Sequence, residues 1–312
     1  MIHEIPLERR TLHGHFSPEL EPVVTIDPGD AIAFSSIDAG WGLEPAPPDA
    51  TDRKHFEPRD PKLDEGHPLI GPVEVRGAGA GQTLSVHVDE LRVGSFGFTD
   101  AGGWPTKLNL QLGVDRPPTS FIRWQLDPDR NVGRDLSGRE VELRPFLGVM
   151  GMPPPHPGVY STGPPRAWGG NIDCTELVVG TTLFLPIPVE GALFSAGDGH
   201  ARQGDGEVSG LAIECPMERA SLTLDVRDDL ELETPIARTA DAWITFGFDE
   251  DLDDAVAVAL GAMLDLMARE HALERKEALA LASVVVDLRV TQVVNGVKGI
   301  HAVLRDDAIG MN

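Results

Sequence analysis

A chain of 312 residues, 41% of them hydrophobic, has enough apolar mass to bury a large core without disulfides. Its two cysteines exclude a disulfide-stapled secreted scaffold. Twenty-six basic residues stand against 50 acidic ones, and a net charge of −24 excludes nucleic acid and anionic membrane surfaces as general partners.

No run nears the ~20 apolar residues of a membrane helix. The start, Met1-Ile2-His3-Glu4-Ile5-Pro6, shows no basic-then-apolar leader, so the expectation is a cytoplasmic protein that makes no membrane contact.

Along the first two thirds, 34 glycines and 26 prolines over the whole chain cut the sequence into runs too short for helices. Residues 21–26, 31–37, 72–76, 83–93, 140–143, 176–179 and 181–189 alternate or are β-branched, and read as strands. Turn signals such as Asp27-Pro28-Gly29-Asp30 and Gly77-Ala78-Gly79-Ala80-Gly81 separate them. Many short strands so divided predict a mainly β, sandwich- or barrel-like body. Two long Pro-rich connections, 43–62 and 150–170, have the length of lids or binding loops.

After about residue 245 the pattern changes. Leu252, Val256, Leu260, Met263, Leu264 and Met267 recur at spacings of three and four, and Asp251, Asp253 and Asp254 gather at the positive end of the helix they define. A second helix is expected over 275–283. Two β-branched runs, 284–294 and 297–304, then flank Asn295-Gly296, a dipeptide suited to a two-residue hairpin turn. The prediction is therefore a mainly β body over 1–216 and an α+β portion of two helices and a hairpin over 217–312, the two packed together or forming one continuous domain.

The chemistry concentrates between Gly169-Gly170-Asn171-Ile172-Asp173 and Gly197-Asp198-Gly199-His200-Ala201-Arg202-Gln203-Gly204-Asp205-Gly206-Glu207. In extended backbone, residues i and i+2 face the same way. Asp198 with His200, and Asp205 with Glu207, can each converge on one point. A carboxylate and an imidazole so placed suit Zn²⁺ or a similar ion, although Asp-Gly steps are equally ordinary turn chemistry. Asp38, His67 and Glu90 sit at strand ends or in the adjoining loops, where functional side chains gather on β scaffolds. There is no Gly-x-Ser-x-Gly elbow and no phosphate-binding glycine loop. Cys174 has no lysine nearby, and Cys215 reads as a small buried apolar residue.

Several stretches together resemble the acetamidase/formamidase family. They are Pro145-Phe146-Leu147-Gly148-Val149-Met150-Gly151, Gly169-Gly170-Asn171-Ile172-Asp173, Thr182-Leu183-Phe184-Leu185-Pro186-Ile187 and Gly191 through His200. Gln203-Gly204-Asp205-Gly206-Glu207-Val208, Ala212-Ile213-Glu214 and Asp287 through Gly296 continue the match. His67-Pro68-Leu69-Ile70-Gly71-Pro72 resembles the family's His-x-x-Thr-Gly-Pro element, with Ile70 where threonine is usual.

The resemblance implies hydrolysis of short aliphatic amides to carboxylate and ammonia in a homo-oligomer, with a divalent metal at the site. Zn²⁺ is the first choice, with Ca²⁺ or Mg²⁺ as alternatives. It carries Asp38, His67, Asp173, Asp198, His200 and Glu207 as site candidates without assigning their roles. On the chemistry of amide hydrolysis, His67, Asp173, Asp198 and His200 are the expected ligands, with Asp38 as a further one, Glu207 is the expected general base, and Gly170 and Asn171 are the expected substrate contacts. A larger or cyclic amide or amidine as substrate, or a non-catalytic metal-binding β-sandwich, are the other readings these residues allow.

Overall fold

A computed structural model describes residues 1–47 and 53–310. Its backbone is a nine-stranded sheet in the order Ile2–Ile5, Asp30–Phe34, Met217–Arg227, Thr83–Val93, Thr182–Pro186, Ile236–Arg238, Ala242–Asp249, Lys298–Arg305, Val286–Gln292. A six-stranded sheet packs with it. That sheet runs Gly169–Asn171, Phe146–Gly151, Phe194–His200, Leu69–Val75, Leu12–His13, with Val24–Ile26 pairing to Leu69–Val75. The expected mainly β body with two helices and a hairpin toward its C-terminus is what the chain forms.

One apolar core joins the two sheets. Ile32, Val86, Leu183 and Leu222 from the nine-stranded sheet share it with Ile70, Phe146, Leu147 and Phe194 from the six-stranded one. The 83–93 run forms the strand its alternation predicts, with Leu84, Val86, Val88, Leu91 and Val93 buried. A third sheet, Glu140–Glu142, Val132–Asp135, Ser120–Asp127 and Phe96–Ala101, stands beside them. Among the described residues no helix is long and apolar enough to cross a membrane.

The helices Leu252–His271 and Arg275–Val285 cover the far end of the nine-stranded sheet. Met263, Leu264, Leu266 and Met267 pack with Ile300, Ala302 and Leu304 in a second core. Asp251 caps the long helix by accepting the Asp253 amide at 2.8 Å. The nine-stranded sheet itself is continuous across residues 216 and 217: Met217–Arg227 lies between Asp30–Phe34 and Thr83–Val93.

Two local expectations fail. Residues 176–179 form turns rather than a strand, because Leu177 and Thr181 donate back to Cys174 and Val178 while Leu177 anchors the segment in the core. The hairpin turn spans 293–297 rather than two residues, since Gln292 captures the backbone of the loop; of Asn295 and Gly296 only Gly296 has positive φ. Of the two long Pro-rich connections, residues 48–52 of the first lie outside the described residues. The second supplies Tyr160–Ser161, paired with His15–Phe16, and then Thr162 and Gly163 beside a cleft.

Candidate active site

The central strands of the six-stranded sheet are rich in glycine because side chains need the space. Gly148 lies opposite Asp198 in the pairing of Phe146–Gly151 with Phe194–His200. A Cβ at Gly148 would come within 3.0 Å of Asp198 Oδ2, Asp173 Oδ1 and His200 Cε1. These three residues, all nearly inaccessible, offer ligand atoms within 4.8 Å of one another, as do His200, Glu207 and Glu214. His200 Nε2 stands 3.3 Å from both Asp198 Oδ2 and Glu214 Oε2.

Backbone strain accompanies this convergence. Asp173, Asp198 and Glu207 have φ of 54°, 61° and 45°, in the left-handed region that favours glycine. Such a conformation costs about 1–3 kcal/mol per residue and persists where surrounding structure imposes it.

Burial and mutual charge set the ionisation of the cluster. Burial pushes the Asp173 carboxyl up to about 7; His200 pulls it back, and neighbouring Asp198 adds to the rise. For Asp198 burial acts upward too, but the imidazoles of His200 and His67 outweigh it and hold the group below the usual carboxylate range. Burial opposes a charged His200, yet Glu214 and Asp198 raise it well above its ordinary value. Burial and then Asp173 push Glu207 well up, and Glu214 is raised chiefly by burial. Among the described residues Asp173 Oδ1, Asp198 Oδ1, His200 Nδ1 and Glu207 Oε2 are buried without a hydrogen-bond partner. Converging orphaned oxygens and an imidazole nitrogen form a donor set that fits a divalent cation.

His67, whose charge acts on Asp173 and Asp198, lines an open cleft of ≈ 690 Å³ together with Asp100, Tyr160 and Leu211. Its backbone amide and its Nδ1 both lie 2.9 Å from Thr162 Oγ1, so Nε2 is the nitrogen left free. Phe98, also in the cleft wall, exchanges backbone hydrogen bonds of 2.9 and 2.8 Å with Glu214.

The structure thus gathers Asp173, Asp198, His200 and Glu207, with His67 alongside. Asp38 does not join them. Arg53 grips both of its carboxylate oxygens at 2.6 and 2.9 Å, and the Gly40 and Gly42 amides donate to it at 3.0 Å. A carboxylate so fully committed to a guanidinium is structural. Asp205 and Glu207 also fail to converge, because positive φ at Gly206 and Glu207 turns them apart: Asp205 is exposed and accepts from Thr175, while Glu207 is buried. Glu90 is a surface residue paired with Arg219 at 3.0 Å.

Asn171 is buried and donates 3.1 Å to the Gly163 carbonyl, with its own oxygen unpartnered among the described residues. The nearest neighbours of the open side of Gly170 are Pro164, Pro165 and Phe16. Burial drives both cysteine thiols upward, which leaves neither as a thiolate nucleophile.

Three contributors escaped the reading of single residues. Glu214 carried a signal, a lone charge inside the apolar run Leu211-Ala212-Ile213-Glu214-Cys215-Pro216-Met217. Gln203, whose Nε2 donates 2.9 Å to the Asp173 carbonyl, carried none. Asn295, read as a turn residue, donates 2.6 Å to Asp173 Oδ2.

A model of the Acetamidase/Formamidase family matches residues 3–159 and 158–303. The chain belongs to this family. The crystal structure of an acetamidase from Bacillus halodurans superposes on it with a TM-score of 0.82 at 27% identity, over 96% of this chain and 97% of that one. An acetamidase/formamidase assigned from sequence in Thermoanaerobacter tengcongensis gives 0.84 at 25% identity, over 98% and 97%. A formamidase from Methylophilus methylotrophus is 25% identical over 259 residues, 64% of this chain and 60% of that protein. Membership in this family makes the chain an amidase.

Proposed function

We propose that the chain hydrolyses the C–N bond of short linear amides, of the size of formamide and acetamide, to carboxylate and ammonia at the buried cluster. In this reading Asp173, Asp198 and His200 hold a divalent cation, Zn²⁺ in the first instance, with His67 on the cleft side. The observation that supports it is the meeting of the buried Asp173 and Asp198 carboxylates and the His200 imidazole, from two separated stretches of chain, around the space Gly148 leaves open, with Asp173 Oδ1, Asp198 Oδ1 and His200 Nδ1 unpaired among the described residues.

An amide carbonyl is a weak electrophile and water a weak nucleophile, so both need help. A bound cation supplies Lewis acidity toward the carbonyl oxygen and acidifies water. The chain's own residues do the rest. In this reading Glu207, buried with an unpartnered Oε2, takes the proton of the attacking water and returns it to the leaving nitrogen, the work of a general base and then a general acid. His67, steadied by Thr162, offers Nε2 to the substrate approaching through the cleft. Burial excludes bulk water from the carboxylates and strengthens every charge interaction among them.

Elemental analysis of the purified protein, run beside an ammonia-release assay on formamide, acetamide and larger amides, tests this. Ammonia release that disappears with a chelator and returns with Zn²⁺ is expected. Turnover that persists in metal-free protein removes the cation from the reading, and silence on every amide removes the substrate class.

A further inference from the structure

The turn at 293–297 is held from inside by one buried side chain. Gln292 Oε1 accepts the amides of Val294 and Asn295 at 2.9 and 3.1 Å, while its Nε2 donates to the Val297 carbonyl at 2.6 Å. The same edge is tied to the loop carrying Glu207: Gly206 donates to Thr291 at 3.0 Å and accepts from Val293 at 3.2 Å. From the turn so fixed, half-buried Asn295 extends Nδ2 to Asp173 Oδ2, leaving Oδ1 as the oxygen near Asp198 and His200.

We propose that Asn295 is a positioning residue for Asp173, and that Gln292 sets the turn from which it acts. This rests on the reading of the cluster as the amide-hydrolysing site. A carboxylate can rotate about two side-chain bonds. Committing one oxygen to a fixed donor selects the rotamer in which the other faces the cluster. A neutral carboxamide does so without cancelling the negative charge, as a lysine or arginine at that place would. Gln203, donating to the Asp173 carbonyl, steadies the backbone of the same residue. Partners that orient a ligand in this way typically matter by about 10–100-fold in metal affinity or turnover.

The test compares Asn295→Ala and Asn295→Asp with Asp173→Asn in the full chain, reading ammonia release, equilibrium Zn²⁺ affinity, melting temperature and a crystal structure of Asn295→Ala. Both Asn295 variants are expected to lose about 10–100-fold in kcat with KM changed only a few-fold, to bind Zn²⁺ more weakly by a similar factor, and to melt within about 2 °C of the unaltered protein. The Asp173 carboxyl is expected to turn in the crystal structure. If Asn295→Ala is too unstable, Asn295→Ser, which keeps turn-forming character, serves in its place. An unmoved Asp173 carboxyl with unchanged kcat and Zn²⁺ affinity overturns the proposal. Loss of activity in Asp173→Asn alone then leaves the amidase reading standing. Absence of ammonia release from the unaltered protein overturns that reading instead, and the orientation of Asp173 in the variant still decides the role of Asn295.

Discussion

The helix-covered end of the nine-stranded sheet and the central strands of the six-stranded sheet treat buried polar atoms in opposite ways. Under the helices the interface is almost wholly apolar, built from Met263, Leu264, Leu266, Met267, Ile300 and Leu304. The buried hydroxyl of Thr245 is satisfied by the Ala259 carbonyl at 2.7 Å. Among the described residues none of the unpartnered buried side-chain atoms lies on the two helices; His301 Nε2, on the strand beneath them, is one, but it alternates with Ile300 and Ala302 and so belongs to the opposite face of the sheet. On the six-stranded sheet, Asp198 and His200 are buried with unpaired atoms, and Asp198 has positive φ. Natural proteins retain such unfavourable groupings where chemistry requires them, and the surrounding packing holds them in place. One region therefore contributes stability, and the other spends some of it on a site.

Removing the proton acceptor proposed for the second region should have the largest effect. Glu207→Gln keeps the size and burial of the side chain but cannot take a proton. Turnover should fall by about 10²–10⁴-fold while the melting temperature holds or rises. Bound metal, measured on the same sample, should be retained. Turnover within a few-fold of the unaltered protein would take Glu207 out of the mechanism.

A matched pair of glycine substitutions tests the contrast directly. Gly148→Ala puts a methyl among Asp198, Asp173 and His200, so the carboxylates must move; misplacement on the ångström scale costs about 100-fold in rate. Gly247→Ala, on the strand beneath the long helix, puts its methyl against the Ala255 carbonyl and the Ala259 amide. Overpacking of this kind costs about 1–3 kcal/mol. Activity per folded molecule should fall in the first variant and survive in the second. Thermal unfolding should show the reverse order, and equal activity losses in both would mean the two regions are not separable.

The same contrast explains what could be read from the sequence. The helices and the 83–93 strand announce themselves, because each buries one face and the apolar spacing records which. The strands Phe146–Gly151 and Phe194–His200 do not. Their glycines, Gly148, Gly151, Gly197 and Gly199, leave no apolar alternation to follow, and they stand in the strands because neighbouring backbone and side chains fill the space a Cβ would need. Asp198 and His200 were legible as a pair because they are two residues apart. Asp173 was carried by family resemblance, since nothing local brings it to them. Asp38 misled for a related reason: the fate of a carboxylate at a strand end depends on its partner, and Arg53 lies fifteen residues on. Asn295 belongs to the hairpin, so only the folded chain puts it beside Asp173.

Two histidines of the six-stranded sheet give the smallest and most discriminating test. His200 has a free Nδ1, whereas His13 is fully paired, with Nδ1 2.6 Å from the His15 carbonyl and Nε2 3.0 Å from Ser195 Oγ. Burial pushes His13 down to about 4 from 6.5, the His15 carbonyl opposing only in part. The folded protein then binds fewer protons here than the unfolded chain. Its contribution to stability is complete above about pH 6.5 and drains away as pH falls toward 4, at up to about 1.4 kcal/mol per pH unit. His13→Asn cannot titrate, so the acid side of its stability–pH curve should be shallower by roughly that slope, with ammonia release per folded molecule unchanged. An unaltered slope would mean His13 is not held neutral. A large loss of turnover would move His13 from the framework into the site and blur the line between the two regions.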